Sequence, residues 1–187
     1  MDRSVAKILL LYHGIYGHTR KICEAIRAEL ERLGTAADIA EVENAAAAGP
    51  ERYDTIVIGA AIRNGKHNPQ VIEFIRGNKA LLDARNSAFF SVNLVARKPE
   101  KNTPETNPYV KAFLERSPWQ PKLVGVFAGN LDYQRYTFMD RHIIRFIMTL
   151  TKGPTDLSTK VEFTDWAEVK RFAGQVRALA EPDPAPA

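Results

Sequence analysis

The sequence predicts an α/β domain, a doubly wound five-stranded parallel sheet in the order 2-1-3-4-5, with a long helical insertion after the fifth strand. Two observations carry this. Short apolar runs alternate with stretches of helical period along most of the chain, the pattern of a parallel sheet with crossover helices. The first run also leads through the turn Leu11-Tyr12-His13-Gly14-Ile15-Tyr16-Gly17-His18-Thr19-Arg20 into a helix. That order of elements makes an anion site, because free backbone N–H groups converge at the positive end of the helix dipole.

The elements follow in order. Val5–Tyr12 reads as a first strand buried on both faces. Thr19–Leu33 reads as a helix, with Ile22, Ile26, Leu30 and Leu33 on one face and Gly34 as its stop. Ala36–Val42 is a weaker second strand, and residues 43–52 an Ala-rich loop ending near Pro50. Thr55–Ala60 is the third strand. Asn68-Pro69 opens a helix, with Asn as cap and Pro at the first helical position. Ala88–Val92 is the fourth strand, and a polar loop follows from Asn93 to Asn102. Thr103-Pro104-Glu105 opens a helix that stops before Ser117-Pro118, and Leu123–Ala128 is the fifth strand. A last helix begins near Thr164-Asp165, with Glu168 in capping-box position and Val169, Phe172, Val176 and Leu179 as its stripe. Residues 1–180 read as one domain, residues 129–163 as its insertion, and the Pro-rich 181–187 as a disordered tail. Structureless loops as long as that insertion are uncommon, so it is expected to serve a purpose.

Composition narrows the function. A chain of 187 residues, 45% hydrophobic and 26% charged, buries a full core and is not a disordered segment. A lone cysteine, Cys23, forms no internal disulfide, fits a reducing compartment, and falls on a buried helix face as an inert thiol. No secretory leader and no membrane-spanning run is read. A net charge of +4 is mild for nucleic-acid binding, which is not expected, and suits an anionic substrate or membrane surface.

The opening turn has no Lys after its second Gly and no G-x-G-x-x-G, so neither an ATPase loop nor a dinucleotide fingerprint fits. What remains is the loop that holds the phosphate of FMN in flavodoxin-like proteins. The expected phosphate contacts are Gly14, Ile15, Tyr16, Gly17, His18 and Thr19. The loops after strands three and four flank that site at the strand ends, so Ala60, Ala61, Ile62 and Arg63, and Ser91, Val92, Asn93 and Leu94, are expected around the flavin ring. Plain strand-end packing is the alternative for Ala60, Ala61 and Val92. Arg63, Arg97, Lys98 and Arg135, with Lys101, form a basic set suited to carboxylates, or else a solvated surface. Within the insertion, a helix spanning about 137–152 places Met139, Ile143, Phe146, Ile147 and Leu150 on one face, and Arg141, His142, Arg145, Thr149 and Lys152 on the other. That pattern suits a membrane interface or an apolar substrate; a helix over the core or a dimer contact is the alternative. No metal site is read: His13, His18, His67 and His142 lack ligand spacing. No residue reads as a general acid or base.

These residues resemble a known family, the flavodoxin-like, quinone-dependent protoporphyrinogen IX dehydrogenases of bacterial haem synthesis. The resemblance runs through most of the chain. Its most specific stretches are Val57-Ile58-Gly59-Ala60 with Ile62-Arg63, and Phe90-Ser91-Val92-Asn93-Leu94-Val95-Ala96-Arg97-Lys98-Pro99-Glu100-Lys101 with Thr103-Pro104. Tyr133, Arg135-Tyr136, Asp140-Arg141 and Thr164-Asp165-Trp166 add to it. The resemblance implies FMN as cofactor, protoporphyrinogen IX as electron donor and menaquinone or ubiquinone as acceptor. It also implies a self-associating protein, peripheral on the cytoplasmic face of the inner membrane. On that reading Arg97 and Lys98, with Arg63 and Arg135, orient the substrate propionates. An NAD(P)H:quinone reductase and a flavodoxin-like electron carrier or binding protein are the rival readings. In one respect the chain departs from the family: His13-Gly14 stand where Ser-Thr is usual, and Tyr16 where flavodoxins place a hydroxyl residue, so that of the usual hydroxyls Thr19 is left. Each lost hydrogen bond to a charged group costs about 1.5–3 kcal/mol, so weaker FMN retention is expected.

Overall fold

The computed structural model describes residues 7–181. The start expected at Val5 for the first strand and most of the tail expected to be disordered therefore lie outside the described residues. Five parallel strands, β1 (Ile8–His13), β2 (Ala37–Glu41), β3 (Thr55–Arg63), β5 (Asn86–Asn93) and β6 (Leu123–Ala128), lie in the order β2-β1-β3-β5-β6. In sequence order of the parallel strands this is 2-1-3-4-5, as expected. β1 is central to one half, pairing Ile8 with Ala37 on one side and with Thr55 on the other.

Side chains alternate through these strands, so each face builds its own core. Ile8, Leu10, Val57 and Phe90 pack under α1 (His18–Arg32) and α7 (Trp166–Ala180), against Ile22, Ile26, Phe172 and Val176. Leu9, Leu11, Ile56, Ile58 and Phe89 pack on the opposite side against Val71 and Ile75 of α3 (Pro69–Gly77), Leu82 of α4 (Lys79–Ala84), Phe113 of α5 (Pro108–Arg116), and Trp119. Phe89 stacks on Phe113 with centroids 4.1 Å apart. Cys23 is buried in the first of these cores, and burial pushes its thiol up. The thiol stays protonated and unreactive.

Several expectations change in detail. β3 runs three residues past Ala60, because Asn64 and Gly65 both adopt positive φ (51° and 78°) and turn the chain back into the two-residue strand β4 (Lys66–His67). Arg63 pairs with Lys66 and Ile62 with His67 in this hairpin, the primed turn that Asn-Gly favours. The Ala-rich segment forms the one-turn helix α2 (Ala45–Ala48) between two 3₁₀ turns, and Asn93–Asn102 carries two more such turns. The helix expected from Thr103 starts at Pro108. Asn107 is the better cap, its Oδ1 accepting from the N–H groups of Tyr109 and Val110, while Thr103 and Thr106 form a turn of their own. α7 is capped by Asp165 as expected, but the Glu168 carboxylate pairs with Arg171 instead of closing a capping box.

The insertion folds as β7 (Asn130–Asp132), a 3₁₀ turn, α6 (Phe138–Leu150) and β8 (Lys160–Glu162), with β7 and β8 antiparallel. It has a small core of its own in Leu131, Tyr133, Tyr136 and Met148.

Gly59 lies in β3 opposite Phe90 of β5. A Cβ there would come within 2.1 Å of the Phe90 ring, which Phe127 and Phe172 hold from the other side. Gly59→Ala therefore overpacks the core. The expected loss is about 1–3 kcal/mol, read as a lower urea midpoint with an unchanged slope.

Candidate functional site

The site is built around the N-terminus of α1. β1 ends at His13, and Gly17 turns the chain with φ 81° so that α1 begins at His18. Among the described residues no side chain caps α1, and no acidic residue lies in its first turn. The other long helices differ: Asn68, Asn107, Thr137 and Asp165 cap α3, α5, α6 and α7 with side-chain oxygens. The first N–H groups of α1 are thus left for an anion. Thr19 is buried beside them, and Gly14 makes room for it, since a Cβ at position 14 would sit 2.5 Å from Thr19 Oγ1. Restoring Thr at position 14 would displace Thr19 and not simply add a donor.

A cavity of about 260 Å³ opens on this loop. Gly14, Ile15, Tyr16, His18, Thr19, Ala61, Ile62, Arg63, Val92, Asn93 and Leu94 all line it, so the three expected loops converge. Gly17, Ala60 and Ser91 do not line it. Gly17 shapes the turn, Ala60 is core, and Ser91 is buried in a hydrogen-bond network behind the wall. Of the basic set, Arg63 alone lines the cavity. The Arg97 guanidinium is committed to the scaffold, donating to the carbonyls of Leu94 (2.8 Å) and Thr151 (3.0 Å) and to Thr151 Oγ1. Lys98 and the exposed Arg135 lie outside the lining.

The insertion supplies one wall. Asp140, Ile143, Ile144 and Ile147 of α6, with Tyr136 before it, line the cavity. Asp140 is only 3% exposed. Its carboxylate receives the Tyr16 hydroxyl proton in a hydrogen bond and a forked pair from Arg63, Nε to Oδ1 at 3.2 Å and Nη2 to Oδ2 at 3.0 Å. Burial alone would raise this carboxyl, but the bonds from Tyr16 and Arg63 and the Arg63 charge outweigh it and hold it below the usual range. The Tyr16 hydroxyl is therefore occupied by a protein partner. The apolar arc of α6 is wider than one contact surface. Ile143 and Ile147 turn to the cavity, whereas Phe138, Met139, Phe146 and Leu150 are 64–78% exposed. Arg141, expected on the outward polar face, folds back to donate to the Tyr133 carbonyl (3.0 Å). Sequence reasoning did not place Asp140 in the site. The signal was an acid whose neighbours at i+4 and i+7, Ile144 and Ile147, are apolar, a position that is buried only if paired.

In the opposite wall, which His67 and Asn93 help to line, His67 Nε2 meets Ser91 Oγ at 2.9 Å, Asn93 donates to the same Oγ, and Asn107 donates to Asn93 Oδ1 at 3.0 Å. This chain of buried polar groups fixes the end of β5 and the turn after it, where Ala96 N–H also bonds Asn93 Oδ1. Burial pushes the His67 imidazole down to about 4. The folded protein therefore keeps it neutral in a range where the unfolded chain, with an imidazole pKa near 6.5, is protonated. The unfolded state binds the extra proton between those two values, so stability falls as pH drops from about 6.5 to about 4, by about 3 kcal/mol at most. His67→Gln should flatten the pH dependence of the unfolding free energy across that window, measured by urea titration at each pH.

A family model described as a flavodoxin domain matches residues 9–158. The chain is 43% identical over 175 residues to a protein of Escherichia coli K12 named protoporphyrinogen IX dehydrogenase (quinone), covering 94% of this chain and 97% of that one. It is 42% identical over 180 residues to a Leishmania major protein of the same name, covering 96% and 78%. Among solved structures, an archaeal flavodoxin aligns over 93% of this chain and 98% of its own with a TM-score of 0.53 at 13% identity, a likeness of fold.

Proposed function

The chain belongs to the flavodoxin domain family, among its quinone-linked protoporphyrinogen IX dehydrogenases, and from that premise we propose that it binds FMN and oxidises protoporphyrinogen IX to protoporphyrin IX. The electrons pass to a membrane quinone, menaquinone or ubiquinone, in haem synthesis. The observation that carries this reading is a single cavity whose wall holds both an uncapped helix N-terminus and one half-exposed guanidinium, Arg63.

The residues fit the cofactor. The α1 amides, Gly14 and Thr19 suit the phosphate, and the segments Ala61–Arg63 and Val92–Leu94 suit the edge and face of the flavin ring. FMN held there supplies the two-electron acceptor, and the protein positions it. Ile143, Ile144 and Ile147 give the α6 wall an apolar face toward the bound flavin. Arg63 orients a substrate propionate through its exposed side, while Asp140 fixes the other side of the guanidinium and balances its charge. The decisive assay is anaerobic: protein reconstituted with FMN, given protoporphyrinogen IX and a short-chain ubiquinone, and followed by porphyrin fluorescence. Porphyrin should form in successive two-electron steps, and Arg63→Lys, which keeps a cation beside Asp140 but loses the guanidinium fork, should raise KM about tenfold, the loss of one charge-assisted bond, with kcat nearly kept. A protein that reduces quinone only with NADPH and makes no porphyrin would contradict the reading.

The exposed stripe of Phe138, Met139, Phe146 and Leu150 seats on the inner membrane surface, with Arg135 and Lys152 at the two ends of α6 facing lipid phosphates. No helix among the described residues is long and apolar enough to cross a membrane. Burying Phe or Leu contributes about 1.5–3 kcal/mol each. Phe146→Asp with Leu150→Asp should abolish cosedimentation with anionic phospholipid vesicles while leaving the unfolding midpoint unchanged. If a second copy covers the stripe instead, light scattering will show an oligomer that the double variant dissociates and that vesicles do not bind.

A further inference from the structure

His18 is the first residue of α1 and lines the cavity. Its Nε2 lies 2.7 Å from Thr164 Oγ1, and the same hydroxyl lies 2.7 Å from the Ala128 carbonyl oxygen. A carbonyl only accepts, so the single hydroxyl proton of Thr164 points to Ala128. The imidazole must then donate from Nε2. This fixes the neutral tautomer and leaves the lone pair on Nδ1, which has no partner among the described residues, on a residue that lines the cavity at the start of α1.

A lone pair there repels an anion, whereas a proton on Nδ1 attracts one. The loop is also short of side-chain donors. Position 14 is Gly, and the Tyr16 hydroxyl is held by Asp140. Resting on the FMN reading above, we propose that His18 takes up a proton from solvent as the FMN phosphate docks at α1, and that Nδ1–H then donates to a phosphate oxygen. Nε2–H keeps its bond to Thr164 throughout, so the ring is already oriented for the second bond.

The groups around the ring agree with this. Lys21 lies on the same helix and Glu162 on β8, and they pair with one another at 2.6 Å. Trp166 of α7 meets the imidazole edge-on with centroids 6.1 Å apart and donates from Nε1 to Glu162. Asp165, next to Thr164, turns its carboxylate to the N–H groups of α7. Burial holds the free imidazole below its usual range, and Lys21 acts the same way against a smaller opposing pull from Glu162 than burial exerts. The resting ring is therefore neutral, and a phosphate dianion is the charge that changes this.

The test is calorimetric titration of the apoprotein at pH 7.5, in two buffers of different ionisation enthalpy, with FMN and with riboflavin. The expected result is net uptake of about half to one proton with FMN and none with riboflavin, the range open to one imidazole. In His18→Gln, whose amide still reaches Thr164, the FMN-linked proton uptake should vanish, leaving the same proton count for FMN and riboflavin. Equal proton counts for the two flavins in the wild type, or uptake that persists in His18→Gln, would overturn the proposal. Should that variant fail to bind riboflavin, ¹⁵N shifts of the histidine rings in the wild type decide. Nδ1 of one ring moving from bare to protonated on adding FMN supports the proposal, and unchanged shifts overturn it. Binding of neither flavin by the wild type would remove the FMN reading itself, and this inference with it.

Discussion

The carboxylate of Asp140 is the point on which the site depends. A buried charge is tolerated only when it is paired and fully hydrogen-bonded, and the partners of Asp140 come from two distant parts of the chain. Tyr16 belongs to the turn after β1, and Arg63 to the hairpin that extends β3. Asp140 itself belongs to α6 of the insertion. Satisfying one carboxylate therefore sets the position of α6 over the strand ends and makes the insertion a wall of the cavity. The Tyr133, Tyr136 and Met148 core supports the same placement from behind.

The rest of the site follows from topology. In an open parallel sheet, ligands collect outside the carboxyl ends of the strands, where the order reverses. Here that point lies between β1 and β3, which pair along their whole shared length up to His13 and Ala60. The fold thus provides an amide cradle and a crevice without any special chemistry. Laid over that base are a guanidinium restrained on one side by Asp140, three isoleucines from α6, and a buried amide–hydroxyl–imidazole chain that stiffens the turn after β5.

Much of the frame was legible because its signals are local or strictly periodic. Alternating apolar runs identified all five parallel strands, and Asn68-Pro69 and Asp165 read correctly as caps because a cap needs only its own turn. Where two local signals competed, the sequence misled: Thr103-Pro104 and Asn107-Pro108 both look like helix starts, and the buried bonds of Asn107 to Asn93 favoured the second. Asn64-Gly65 is a strong hairpin signal that a loop reading passed over. The site was readable to the extent that topology brings three loops together. Asp140 was not, since its burial depends on Tyr16 and Arg63, 124 and 77 residues away in sequence. For the same reason Arg97 read as a ligand residue. Its acceptors include Thr151, and that pairing exists only after the insertion has folded back.

Amide hydrogen exchange of Asp140→Asn, compared with the wild type, tests most directly whether one paired carboxylate holds the insertion in place. Losing a charge-assisted bond, worth about 1.5–3 kcal/mol, should speed exchange at the α6 amides by about tenfold or more. The amides of β1, β3 and β5 should keep their protection. Unchanged exchange across α6 would contradict the account and assign the placement of the insertion to its own small core.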